Sequence, residues 1–491
     1  MSRTSMLCTA LAISLSSLAL VVCGSGPAHA ATCRPTGVAG DVDRDGRADL
    51  VVGDPYADGS QGAVEVVRHS GQRTHITRSQ LPGDPGDEPE FGTAVAVADL
   101  TGDGCLDLAI SSPGDGGREG EDVPDHEGDP PDPGTPALPT VFIVRGTPTG
   151  FTTAEPIRVT DPEAGTFTSF ADDIAVLQPT PTSPPQLVVG MSTRREGRGG
   201  VAVYGFDGGR PGAPVIVDRS SPGVDGSATA RSYFGESVAT SGRSIVVGAP
   251  GTRVAGVDQA GSVTVLTSTA AAPRSFTGRS WSQDSAGVPG GPEVEDGFGY
   301  SVAAGHGWVA VGVPTEDLDG RTNPGAVQLF QLSAAGDLVP RQLLGQNTAG
   351  IPDSSEDYDR FGESVTIGLG LQRAGVPAVL VTSPLEARAA PAPQYSGAWT
   401  VVHLPTVKAA GYSLASPGVP GHPAADAGYD MEVSALAGPQ ASAAARRDAV
   451  VVGIPNRSRG RVLVDASWRG TWQSLESSEV ATSDGFGAAL G

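Results

Sequence analysis

A short apolar run ending in a small residue and proline returns along almost the whole chain. This repetition limits the possible folds more than any other feature. It reads LVVGDP (Leu50 to Pro55), LAISSP (Leu108 to Pro113), IVVGAP (Ile245 to Pro250), VAVGVP (Val309 to Pro314), VLVTSP (Val379 to Pro384) and VVVGIP (Val450 to Pro455). A seventh copy, LVVGMS (Leu187 to Ser192), lacks the proline. Each is a β-branched run stopped by a turn former, the pattern of a buried strand running into a turn. A second strand follows after a variable loop: GAVEVV from Gly62, GVAVYG from Gly200, GSVTVL from Gly261, GAVQLF from Gly325, GAWTVV from Gly397 and GRVLV from Gly460, with TVFIV from Thr140 lacking the glycine. Alternation with period two marks these as antiparallel strands. The 69 glycines and 41 prolines among 491 residues weigh further against a helical fold.

Upstream of the apolar run lies an aromatic–glycine pair that starts another strand: Phe91-Gly92, Phe234-Gly235, Phe298-Gly299 and Phe361-Gly362, with degraded forms Phe170-Ala171 and Tyr429-Asp430. Seven units of this size predict an all-β, seven-bladed β-propeller over residues 31–491, with four short strands per blade. The first unit has no aromatic–glycine start of its own, while Phe486-Gly487 is a start with no unit after it. Together they make one repeat, so the C-terminal strand is expected to complete the N-terminal blade and leave no open sheet edge.

The aromatic–glycine start, the acidic loop and the Gly-Ala-Pro-like turn resemble the FG-GAP repeats of integrin α-subunit propellers and related secreted bacterial proteins. The resemblance implies a seven-bladed propeller with calcium held in hairpin loops on one face. Five of the seven units lack the acidic loop, and nothing resembling integrin leg domains follows the repeats.

The two acidic loops carry the chemistry. The first is Asp41-Val-Asp43-Arg-Asp45-Gly46-Arg47-Ala-Asp49, directly followed by an apolar strand. Calcium takes six to eight oxygens, and carboxylates at positions 1, 3 and 5 of a curled loop can converge on one point. Gly46 permits the bend, the Arg47 carbonyl can face inward, and Asp49 can close the site. The second loop, Asp99-Leu-Thr101-Gly-Asp103-Gly104-Cys105-Leu-Asp107, keeps the register but has a hydroxyl in place of one carboxylate. Two calcium sites are therefore expected, the first the stronger, with the Cys105 carbonyl as a ligand in the second. The alternative is a pair of solvated acidic turns. Glu316, Asp317 and Asp319 break the spacing and read as surface acids. The acidic segments before two starts, Gly287 to Gly299 and Gly350 to Gly362, read as a shared blade-to-blade turn.

Residues 1–30 read as a secretory signal peptide, with Arg3, an apolar run from Leu7 to Val22 and the Ala28-His29-Ala30 cleavage pattern. Export leaves Cys33 and Cys105, which in an oxidising compartment are expected to form one disulfide rather than two free thiols. A flexible acidic insertion is expected at about 114–136. The net charge of −23 disfavours nucleic acid and anionic membranes, and no apolar stretch after the signal is long enough to insert in a bilayer. No G-x-S-x-G, H-E-x-x-H or P-loop motif occurs, so no catalytic residue is assigned. The reading is a secreted, monomeric, calcium-binding module for adhesion to an extracellular protein or glycan. The alternative is an extracellular hydrolase or lyase working in the central depression.

Overall fold

The computed structural model describes residues 33, 38–83, 90–113, 139–148, 150–163, 170–268, 275–386, 396–420, 431–436, 446–455, 460–465, 472–476 and 489–490. These form seven four-stranded antiparallel sheets, so the protein is a seven-bladed β-propeller. The expected signal peptide at residues 1–30, the expected insertion at 114–136, Tyr429-Asp430 and Phe486-Gly487 fall outside the described residues.

Blade 4 shows the common plan. Val238–Ser241 is innermost, followed outward by Ser244–Ala249, Ser262–Ser268 and Phe276–Trp281, each antiparallel to the one before. The recurrent apolar run is thus the second strand, buried along its length because both sheet faces meet neighbouring blades. Blade 1 is assembled differently. Its strands Leu50–Asp54, Ala63–Val67 and Arg73–Thr77 occupy the three outer positions, and Ala489–Leu490 pairs with the first of them through Val52 with Leu490 and Gly53 with Ala489.

The core is divided among the blade interfaces. Among the described residues there are seven hydrophobic clusters, and each joins two adjacent blades. One of them packs Leu50, Val52 and Val67 of the first blade against Ala449, Val451, Val462 and Val464 of the last. Every described aromatic of the repeat start (Phe91, Phe170, Phe234, Phe298 and Phe361) is fully buried in one of these interfaces.

The glycines of the repeat have a packing reason. A Cβ on Gly312, in the second strand of blade 5, would fall 2.1 Å from the Gly362 carbonyl oxygen of blade 6 and 2.2 Å from Ser301 Oγ. Gly248 stands in the same relation to Gly299 and Ser237 one blade earlier. The serines complete the contact: Ser237 Oγ donates to the Gly299 carbonyl at 3.0 Å, and Ser301 Oγ to that of Gly362 at 2.9 Å. The start glycines Gly235, Gly299 and Gly362 are therefore pressed against the preceding blade's second-strand glycines Gly190, Gly248 and Gly312, with no room for a side chain between them. The repeated sequence elements are the two halves of one inter-blade clamp.

Candidate metal centre

The two acidic loops precede the second-strand runs of blades 1 and 2 and share a hydrogen-bond scaffold. Position 1 caps the bend, with Gly46 N donating to Asp41 Oδ2 at 3.0 Å and Gly104 N to Asp99 Oδ2 at 2.9 Å. Position 5 steadies the exit: Arg47 N and Cys105 N each donate at 2.8 Å to Asp45 Oδ1 and Asp103 Oδ1. Position 9 ties the loop to its sheet. Asp49 accepts from Val42 N, Asp43 N and His69 N, at 2.9, 3.2 and 3.0 Å. Asp107 accepts from Thr101 N at 2.8 Å and Gly146 N at 2.9 Å. Both bend glycines have φ of +88°, a conformation glycine adopts without strain.

In the first loop the structure brings together Asp41, Asp43 and Asp49, each offering an oxygen within 4.8 Å of the others. Asp45 stands apart from that group. It is exposed, and its Oδ1 is engaged by its own loop. Arg47 is exposed, with its guanidinium against His69. In the second loop Asp107 is fully buried, Asp99 and Thr101 are partly buried, and Asp103 is exposed like its counterpart Asp45. Asp99 Oδ1 is buried without a hydrogen-bond partner.

Burial raises the pKa of Asp49, and the charge of Asp43 adds to the effect against three backbone donors. Burial likewise raises Asp99 and Asp107. A cation at these carboxylates would offset the desolvation, because it favours the ionised form that burial opposes. The clustered oxygens and the buried, unpartnered Asp99 Oδ1 fit a hard, oxygen-seeking ion.

Cys33 and Cys105 are joined by a disulfide with Cα atoms 4.9 Å apart. The bond pins the chain ahead of the first loop to position 7 of the second. A cleft of about 860 Å³ is bounded by both loops, the disulfide and the Pro181–Pro185 turn.

A second acidic feature escaped the sequence reading. The innermost strands line a central depression of about 340 Å³, into which Asp172, Asp173, Glu236, Tyr300, Glu363 and Glu432 are gathered. Burial pushes Asp173 and Glu236 up to about 7 and Glu432 up to about 8, with neighbouring carboxylates adding to each. Most of these residues sit one or two places after the aromatic–glycine start, as in Phe234-Gly-Glu236 and Phe361-Gly-Glu363. That recurrent position was the available signal. Glu316 is a correction to the sequence reading: it is buried, 4% exposed, whereas Asp317 and Asp319 are at the surface. It lies two residues past a turn proline, where the chain folds back against the neighbouring blade.

The FG-GAP-like repeat family model matches residues 41–110, which include both acidic loops and the start Phe91-Gly92. The matched unit and the seven blades support an FG-GAP-type β-propeller. No curated protein sequence matches it. Among solved structures it is similar to a candidate 6-phosphogluconolactonase from Bacteroides uniformis, at 10% identity and a TM-score of 0.48 over 90% of this chain and 99% of that one. It is also similar to a periplasmic gluconolactonase from Pseudomonas aeruginosa, at 14% identity and a TM-score of 0.47 over 89% and 98%. Apo AztD from Citrobacter koseri matches at 10% identity and a TM-score of 0.40 over 90% and 97%. Likenesses this distant carry no argument about activity.

Proposed function

We propose that this protein is a secreted, calcium-stabilised propeller that binds an extracellular protein or glycan. The observation that carries the calcium reading is the repeated loop scaffold, which holds Asp41, Asp43 and Asp49 within reach of one ion and leaves Asp99 Oδ1 buried without a partner. In the first site Asp41, Asp43 and Asp49 would be the carboxylate ligands, with the Arg47 carbonyl beside them. In the second, Asp99, Thr101 and Asp107 would serve, with the Cys105 carbonyl. The ion would stiffen the two hairpins that border the cleft rather than perform chemistry. A cleft of about 670 Å³ is lined by Arg194, Arg195, Arg198 and Arg219 together with Glu196 and Asp218, and its arginines are engaged within the protein: Arg194 and Arg195 pair with Glu163 and Asp218, and Arg219 donates to Thr252.

The test is thermal melting with calcium and with chelator, followed by a glycan array containing neutral and acidic chains. Chelation lowers the melting temperature, and Asp99→Ala loses less calcium-dependent stability than Asp41→Ala. Identical melts in the two buffers contradict the calcium reading; binding to no glycan on the array contradicts a glycan partner.

A second reading is favoured by the central depression. Carboxyl groups that titrate near neutrality beside ionised neighbours are the equipment of general acid–base catalysis. Turnover of a polysaccharide or ester that is abolished by Glu432→Gln would favour that reading.

A further inference from the structure

Two blade interfaces contain a buried carboxylate cluster outside both acidic loops, and the clusters copy each other residue for residue. Between blades 4 and 5, Gln283 stands fifteen residues before Phe298, Asp296 two before it, and Glu316 two after the turn proline Pro314. Between blades 5 and 6, Gln346, Asp359 and Glu386 occupy the same places relative to Phe361 and Pro384. The contacts repeat as well. Gln283 Nε2 donates to Glu316 Oε2 at 2.5 Å, and Gln346 Nε2 to Glu386 Oε2 at 2.6 Å. Glu293 N donates to Asp296 Oδ2 at 2.6 Å, and Glu356 N to Asp359 Oδ2 at 2.7 Å. All six of the glutamine, aspartate and glutamate residues at the base are at most 4% exposed, while Glu293 and Glu356 stand exposed at the mouth.

Each cluster has oxygen atoms with nothing to satisfy them. Gln283 Oε1, Asp296 Oδ1 and Gln346 Oε1 are buried and accept no hydrogen bond. Glu356, Asp359 and Glu386 offer oxygens within 4.8 Å of one another. Among the described residues no arginine or lysine pairs with Glu293, Asp296 or Glu316. Buried carboxylates such as Asp296 and Glu316, with no arginine or lysine beside them, are costly unless a cation or protons neutralise them.

The interface between blades 3 and 4 supplies an internal control. The position fifteen before Phe234 is Arg219, the position two before it is Ser232, and the position two after Pro250 is Thr252. Arg219 is 5% exposed, and its Nη1 donates to Thr252 Oγ1 at 3.1 Å, so the same pair of positions is in contact. Where the interface brings its own cation, both carboxylates are gone. Where the carboxylates are present, a neutral glutamine replaces the arginine.

We propose that Gln283, Glu293, Asp296 and Glu316, and likewise Gln346, Glu356, Asp359 and Glu386, form two inter-blade sites for a divalent cation. An all-oxygen donor set selects a hard ion of the calcium type over zinc or copper. Burial, with the charge of Asp296 adding to it, pushes Glu316 up to about 8. Burial pushes Asp296 up to about 6, with Glu293 and Asp317 adding. The cation would join the arm before each repeat start to the turn of the following blade.

The test is calcium stoichiometry by equilibrium dialysis on the full secreted chain, at about 5 mM free calcium, above the range usual for extracellular modules. Three proteins are compared: wild type, an Asp49→Asn/Asp107→Asn variant disabled in the acidic loops, and a Glu316→Gln/Glu386→Gln variant. The loop variant is expected to retain two equivalents, and the glutamine variant to bind two fewer than wild type. Wild-type stoichiometry in the glutamine variant overturns the proposal. Loss in that variant with none in the loop variant sustains it and overturns the loop reading instead. Melting gives a second measurement. Because glutamine keeps the shape and removes buried charge, Glu316→Gln is expected to melt higher than wild type in chelator at pH 8 and to gain less from calcium. An equal calcium response in both proteins contradicts the proposal.

Discussion

Replacing Gly312 by alanine tests the inter-blade clamp. The second-strand glycine leaves no space toward the next blade: the new Cβ would sit 2.1 Å from Gly362 O and 2.2 Å from Ser301 Oγ. Cβ atoms essentially never come within 3.0 Å of such a neighbour, so blades 5 and 6 must separate or the backbone must shift. Overpacking of this kind costs about 1–3 kcal/mol and sometimes more. Displacing the Ser301 hydroxyl from the Gly362 carbonyl forfeits about 1 kcal/mol of hydrogen bonding. Alanine also stiffens the unfolded chain, which returns about 0.4–1 kcal/mol. The net expectation is a loss of about 2 kcal/mol. Gly307→Ala is the control, five residues away in the same blade. Gly307 has φ of +79° and nothing within 4 Å of the place a Cβ would take, so only left-handed backbone strain of about 1 kcal/mol applies. Urea unfolding in calcium-containing buffer, followed by fluorescence, ranks the two. Losses within about 0.5 kcal/mol of each other, the usual scatter of an uninvolved site, would refute the clamp. The strained but uncrowded glycine would then matter as much as the crowded one.

Other outcomes follow from the same contacts. Phe298→Ala empties a fully buried site between blades 4 and 5 and is expected to lose about 3–5 kcal/mol by urea unfolding. Cys105→Ser opens a cross-link spanning 72 residues and is expected to lose up to about 4 kcal/mol, seen as a lower urea midpoint in non-reducing buffer. In chelator, Glu316 makes stability depend on pH. Its folded pKa of about 8 lies above its ordinary value of 4.5, so between these the folded state keeps a proton that the unfolded chain has lost. Stability therefore falls as pH rises from about 4.5 to 8, and Glu316→Gln flattens that fall when urea midpoints are compared at both ends of the range. Asp49→Ala removes the acceptor for three backbone N–H groups and is expected to abolish its loop's share of calcium stabilisation, about 2.7 kcal/mol at a hundredfold excess over the dissociation constant.

The fold was legible because its constraints are local and repeated. A β-branched run with a terminal proline, a glycine-led alternating strand and an aromatic–glycine start each encode one strand, and seven copies leave a ring as the economical arrangement. The loops were legible for the same reason: nine consecutive residues carry the scaffold from Asp41 to Asp49. Their finer geometry was harder to read. Spacing alone makes Asp45 and Asp43 look equivalent, whereas the fold turns Asp43 toward Asp49 and leaves Asp45 in solvent. The central depression was invisible locally, since Asp173, Glu236 and Glu432 are far apart in the chain and meet only where inner strands converge. Glu316 misled for a related reason. Its neighbours Asp317 and Asp319 are surface acids, and its own burial depends on Gln283, thirty-three residues away. Repetition was the clue left unused, because Gln346 and Glu386 repeat the pair.

A crystal structure of the protein grown with calcium, with the ions located by anomalous scattering, bears on both loops at once. Peaks are expected among Asp41, Asp43 and Asp49 and beside Asp99 and Asp107, within a ring whose last strand lies against Val52. A folded ring with no anomalous peak at either loop in calcium-rich crystals would contradict the calcium assignment.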